Sequence, residues 1–139
     1  IHSYDHDPSN ENFGEEAVTQ LQVDAERVFK TLLVFLDVGN LAVAVVPVAR
    51  QLNLKLIATT LGAKKAKMCD SKEAERATGY IVGGISPLGQ KKQLPTVVDE
   101  SANNWDTIYI SAGRRGLEIE LKAEDLCTLT MGRFADISR

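Results

Sequence analysis

Histidine is nearly absent from this chain: His2 and His6 are its two copies, both close to the N-terminus. That scarcity removes most hydrolytic strategies that depend on a well-anchored imidazole base. A Ser-His-Asp arrangement would have to draw on His2, which shares a strand face with Tyr4, or on His6, which lies in a polar loop. Cysteine is equally scarce. Cys69 and Cys127 are too few and too far apart for a disulfide framework, and neither Cys-x-x-Cys nor a paired Cys/His spacing occurs. They read as free thiols of a reducing cytosol, buried rather than reactive. His2, Asp5, His6 and Asp7 are residue types that zinc accepts, but their spacing matches no dedicated site. The stretch reads as a solvated polar loop, and no metal is expected. No Gly-x-x-x-x-Gly-Lys-Ser/Thr phosphate loop is present either, so nucleotide hydrolysis of that type has no support.

Long apolar runs are missing as well. The most apolar segment, 28–49, is interrupted by Lys30, Asp37, Asn40 and Pro47, and so falls short of the roughly 18 to 20 continuous apolar residues a membrane helix needs. A soluble, cytoplasmic protein is the expectation. Nor is there a basic excess: 16 Lys and Arg stand against 19 Asp and Glu, a net charge of −3. Proteins held to nucleic acid mainly by phosphate contacts usually carry the opposite balance. Lys64, Lys65, Lys67, Lys91, Lys92, Arg114 and Arg115 still form three short clusters, which are either ordinary solvated charges or one local patch. The chain starts at Ile1 with no basic stretch and apolar core of a leader type, and the start is expected to be trimmed. Its 139 residues suit a single domain over 1–139 with one core.

What is present is a mixture of hairpins and helices. Residues 1–4 read as the end of a strand, 5–14 as a loop and 15–22 as a helix, with Asp24 capping a helical turn to Arg27. The runs 29–36 and 40–46, dense in Val, Leu and Phe, flank the turn-forming Asp37-Val38-Gly39 and predict a β-hairpin buried on both faces. Asn53 caps a predicted helix over 54–61, and Ser71 caps another to Ala77, with a short strand at 64–68 between them. Further strands are expected at 78–82, 96–98, 107–111 and 117–121, and a closing helix at 123–130. This order predicts an α+β domain around one strongly curved, largely antiparallel or mixed sheet with peripheral helices.

Three places stand out chemically. Lys30 begins a buried strand, so its amine must snorkel to water, pair with an acid or face a cleft. Gly83-Gly84-Ile85-Ser86-Pro87 is a loop opened by glycines and stiffened by proline, the kind that lets backbone approach a ligand. Ser111 precedes the turn 112–116 of a second hairpin. The stretches Phe29-Lys30-Thr31-Leu32-Leu33, Thr78-Gly79-Tyr80 with 82–90, and 110–121 resemble those of the YbaK/EbsC family of bacterial Cys-tRNA(Pro)/Cys-tRNA(Cys) deacylases. The similarity runs over nearly the whole chain. Lys30 matches that family's strand lysine, and Gly83 to Pro87 matches its Gly-x-x-x-Pro loop.

The resemblance implies the fold of the editing domain inserted in bacterial prolyl-tRNA synthetases, acting in trans on the acceptor end of mischarged tRNA(Pro). It implies a catalytic set of Lys30, Gly83, Gly84, Ile85, Ser86 and Pro87, and a substrate pocket of Tyr4, Phe13, Thr31 and Ser111, with Gly113, Arg114 and Glu118 of the same hairpin. It calls for no cofactor. In the implied mechanism the cysteine thiol of the substrate attacks its own ester carbonyl, giving a cyclic thiolactone and free tRNA without a protein nucleophile. Amides of 83–86 are expected to face the developing oxyanion, and Lys30 a phosphate or the ester oxygen. Two departures are visible. Relatives carry a further helix and the beginning of the first strand ahead of the point matching Ile1, and they commonly have Asp where Glu118 stands. The acidic balance further implies weak intrinsic tRNA affinity and delivery by prolyl-tRNA synthetase. A deacylase for alanine or another small amino acid using water, and a non-catalytic synthetase-binding module, are the alternatives.

Overall fold

In the computed structural model, which describes residues 1–139, the two Val/Leu/Phe runs form the centre of the main sheet. Strand β2 (Phe29–Leu36) pairs antiparallel with β3 (Leu41–Pro47), Lys30 lying opposite Val46 and Phe35 opposite Leu41. The intervening turn closes with the Leu36 amide donating to the Asn40 carbonyl, at Gly39 with φ +100°. Strand β3 is central, and its alternate residues feed two cores. Val43 and Val45 join Leu33, Val98, Ile108, Ile110 and Leu126 on one face, while Ala42, Ala44 and Val46 join Val34, Val97, Ile57 and Ile137 on the other. Each fully buried Val or Ile stabilises the fold by about 1.5 to 3 kcal/mol, and a one-residue slip would turn Val43 and Val45 into the core fitted to Ala42 and Ala44.

The preceding segment holds β1 (His2–Ser3) and α1 (Phe13–Leu21). Helix α1 starts two residues before the predicted 15, because Asn12 caps it, and ends where Gln22 takes a left-handed conformation. After β3 come α2 (Leu54–Thr60), capped by Asn53 as expected, and β4 (Ala66–Met68). Helix α3 (Ser71–Thr78) is capped by Asp70, whose side chain accepts from the Glu73 amide, and not by Ser71. The strand expected at 78–82 does not form. Thr78 completes α3, Gly79 at φ +83° ends it, and the Val82 amide is taken by the Glu75 carboxylate instead of a ladder.

Strand β5 (Thr96–Asp99) runs parallel to β3, and β8 (Arg133–Ala135), which the sequence did not announce, runs parallel to β5. The five-stranded order is β4-β2-β3-β5-β8. Buried Asp99 holds its outer end together: one oxygen accepts from the Ile137 amide and the other from Ser101 in the 3₁₀ turn Glu100–Asn104. Strands β6 (Ile108–Arg114) and β7 (Leu117–Leu121) form the second hairpin, with a bulge between Ser111 and Arg114, and α4 (Ala123–Thr130) follows.

A single sheet was expected; there are two. Strands β1, β7 and β6 make a separate three-stranded antiparallel sheet, joined to the larger one by a parallel bridge between Val28 and Tyr109. The α+β class and the mixed pairing are as predicted. The division arises because β6 meets the chain just before β2 at that bridge and not along its length, the Tyr109 amide donating to the Arg27 carbonyl.

Candidate active site

Strand β4 reaches only Val34 to Leu36 of its neighbour. The upstream half of β2 therefore keeps an outer edge without a partner strand, and a cleft of about 590 Å³ runs along it. That is within the range of about 300 to 1,000 Å³ typical of small-molecule sites. Its walls come from the start of α1 (Phe13), from β2 (Lys30, Thr31), from the glycine loop (Gly83, Ile85) and from the second hairpin (Ser111, Glu118). Arg50 and the Met68-Cys69 pair close the remaining sides.

Lys30 lines this cleft with no carboxylate within ion-pair distance, and burial lowers the pKa of its amine. Of the three fates open to a lysine at the start of a buried strand, it faces a cleft. Glu118 is 8% exposed; one of its carboxylate oxygens has no hydrogen-bond partner, and burial pushes its pKa up to about 7. The hydroxyl of Thr31 is likewise buried and unpartnered. Buried polar groups nearly always have a partner in protein or ordered water, so these two, unpaired within the chain and in one concavity, are open to a polar ligand.

The glycine loop adds donors. The amides of Gly83, Ile85 and Ser86 donate no hydrogen bond within the chain, whereas the Gly84 amide donates to the Ile81 carbonyl. Ser86 is fully buried and its hydroxyl accepts from the Leu88 amide. The loop thus lends Gly83 and Ile85 to the cleft wall, while Gly84, Ser86 and Pro87 lie buried behind them. Gly83 has φ +89°, and a Cβ there would come 2.6 Å from the Phe13 ring.

The other expected pocket residues sit beside the cleft and not in its wall. Tyr4 packs with Ala17, Val28 and Tyr109, and burial, then the charges of Glu118 and Glu16, push its hydroxyl up to about 12. Gly113 lies against the Tyr80 ring, and Arg114 is exposed on the bulge. Lys30, Thr31, Phe13, Gly83, Ile85, Ser111 and Glu118 are brought together; Tyr4, Gly84, Ser86, Pro87, Gly113 and Arg114 are not among the lining residues.

The N-terminal loop is largely exposed, as expected, although its histidines are engaged. The His6 ring nitrogen Nδ1 lies 2.6 Å from the buried Glu16 carboxylate, whose other oxygen accepts from the Asp7 amide, and His2 pairs with Glu120. No group of three or more His, Cys, Asp and Glu side chains is placed to hold a metal ion. Cys69, half-buried on the cleft wall, has its thiol pKa raised by burial and by Glu73 and Asp70, which disfavours a thiolate nucleophile. Sequence reasoning missed Cys69, Met68 and Arg50 as cleft residues, because they reach the cleft only through tertiary placement, Met68 and Cys69 at the end of β4 and Arg50 in the turn after β3.

A family model described as the aminoacyl-tRNA editing domain matches residues 9–129. A curated protein of Enterococcus faecalis, which carries the provisional name Cys-tRNA(Pro)/Cys-tRNA(Cys) deacylase EbsC, is 42% identical over 131 residues, spanning 94% of this chain and 80% of that protein. Among solved structures, a hypothetical protein superposes with a TM-score of 0.85 at 26% identity, over 95% of this chain and 87% of its own. A provisionally assigned trans-editing enzyme for prolyl-tRNA synthetase superposes with a TM-score of 0.86 at 19% identity, over 100% of this chain and 85% of its own, a likeness of fold.

Proposed function

Because the chain belongs to the aminoacyl-tRNA editing domain family, we propose that its cleft releases cysteine from mischarged Cys-tRNA(Pro), and from Cys-tRNA(Cys), by cleaving the aminoacyl ester. The observation that carries this is the set of unpaired groups along one strand edge: the Lys30 amine, the Thr31 hydroxyl, the Glu118 carboxylate and the free amides of Gly83 and Ile85. An aminoacylated ribose offers a complement to each kind. Its α-ammonium suits Glu118, since an adjacent cation draws a desolvated carboxylate back to its ionised form. Its carbonyl oxygen suits the loop amides, where one well-aimed donor is worth about 3 to 4 kcal/mol of barrier. Lys30 suits the terminal phosphate or the ester oxygen.

Cys69 is held as a thiol and both histidines are engaged with carboxylates, so neither a protein thiolate nor a free imidazole is at hand, and in this reading, as the family resemblance implies, the substrate's own thiol attacks. Its sulfur attacks the ester carbonyl, the C–O bond to the ribose breaks, and the thiol proton leaves with the tRNA hydroxyl, giving a cyclic thiolactone. Intramolecular attack held in line is worth about 7 to 11 kcal/mol, which suffices for an already activated ester. The chain works in the cytoplasm, where charged tRNA is found, and receives substrate from prolyl-tRNA synthetase, since its own charge does little to attract RNA. The test is release of amino acid from Cys-, Ala- and Ser-charged tRNA(Pro). Turnover of the cysteine ester alone, with thiolactone as first product, is expected; equal turnover of the alanine ester would transfer the reaction to water and defeat the thiol mechanism.

A further inference from the structure

Arg115 is absent from the cleft wall, yet it touches two of the elements that build it. Its Nε donates to the Val82 carbonyl at 2.8 Å, at the mouth of the glycine loop, and its guanidinium carbon stands 4.2 Å from the centroid of the Phe13 ring at the start of α1. Gly83 fits between these two groups: a Cβ there would lie 2.6 Å from the ring and 2.9 Å from Arg115 Nε. Gly84 is pressed onto the backbone from which Arg115 springs, a Cβ there meeting Arg114 Cα at 2.7 Å. The same turn supports the loop further on, since Gly113 backs the Tyr80 ring and the Tyr80 hydroxyl donates to the Leu88 carbonyl at 2.6 Å. Arg115 has no carboxylate within ion-pair distance. A planar guanidinium can stack on a ring and donate in its own plane at once, which an ammonium cannot.

We infer that Arg115 is a positioning residue: it clamps the glycine loop against helix α1 so that Gly83 and Ile85 keep their places in the cleft wall with their amides free. The turn of the second hairpin is in this sense the template on which the loop is cast. Two consecutive glycines are needed because the loop passes between a guanidinium, a ring and a bulged backbone with no room for a side chain.

The kinetic half of the inference rests on the deacylase reading, so the test has a second readout that does not. Arg115→Lys keeps the charge and most of the stem; Arg115→Ala removes both. In each, amide exchange across residues 81–90, with the bonded Gly84 amide as reporter, is expected to accelerate about tenfold or more while the β2-β3 core stays protected. On Cys-tRNA(Pro), kcat is expected to fall about tenfold or more in both variants with KM within about threefold, and lysine is not expected to rescue. Unchanged loop exchange would overturn the inference even in a chain that proved inactive. So would restoration of kcat by lysine, or a loss confined to KM that disappears at low salt, the mark of a phosphate contact. Should Arg115→Ala fail to fold, Arg115→Lys and Phe13→Leu, which removes the ring face alone, decide the matter by the same two readouts.

Discussion

Glu118 holds its proton because of where it sits. In Leu117-Glu118-Ile119-Glu120-Leu121 both acids point to the same side of β7, yet Glu120 is paired with Arg27 and His2 while Glu118 is buried without a counter-charge. Its pKa of about 7 lies above the ordinary 4.5. Between these values the folded chain keeps a proton that the unfolded chain has lost, so stability falls as pH rises from about 4.5 to 7 and is level above that. Glu118→Gln is expected to match the parent at pH 4 and to exceed it at pH 8 by about 1 to 3 kcal/mol, read from urea unfolding at both pH values. The same variant is expected to lose its hold on the α-ammonium, and with it the rise of kcat/KM through pH 7. Lys30→Ala is expected to lower deacylation about 100-fold or more without lowering Tm, because the amine it removes is desolvated and unpaired. Lys30 was legible in sequence because a charge inside an apolar run is an anomaly. Glu118 had no such contrast: an alternating strand of Leu and Glu reads as one wet face, and only the packing over β7 shows that half of that face is dry.

At the scale of elements, the hairpin of β2 and β3 was readable because its composition leaves one solution, a strand pair buried on both sides. The segment 78–82 was not, since Thr, Tyr, Ile and Val there favour a strand locally but find no ladder; a side-chain carboxylate and a left-handed glycine route the chain into a loop. Strand β8 escaped notice for the complementary reason, as Arg133-Phe134-Ala135 is too short to announce itself and forms only through its parallel ladder with β5, with Asp99 accepting from the Ile137 amide just beyond it. Asp99→Ala is expected to cost about 2 to 3 kcal/mol by orphaning buried amides, seen as a lower urea midpoint at unchanged slope. Gly84→Ala is expected to cost about 1 to 3 kcal/mol through overpacking against the hairpin backbone, and to abolish activity before it abolishes folding. Near-normal turnover in that variant would remove the loop from the mechanism.

For the molecule as a whole, a net charge of −3 sets how it meets a polyanion. Each phosphate neutralised contributes about 0.7 to 0.9 to the slope of log affinity against log salt. The isolated chain is expected to show a slope of about 2 or less with uncharged tRNA, and filter binding across a salt series checks this; a steep slope would mean that the dispersed lysines act together after all. No helix is long and apolar enough to cross a membrane. The class of fold was legible from the mixture of hairpins and helices, but the partition into two sheets was not, because it depends on a contact between residues far apart in sequence. That contact, the bridge of Val28 to Tyr109, carries a consequence for cargo selection. Opposite walls of the cleft hang from different sheets, which are bridged at Val28 on the cleft wall and share a core of Leu33, Val43, Ile108 and Ile110. The spacing of the walls is therefore governed by that shared packing as much as by the bridge, and substitutions at Ile108 or Ile110, which line no part of the cleft, are expected to change which amino acid fits.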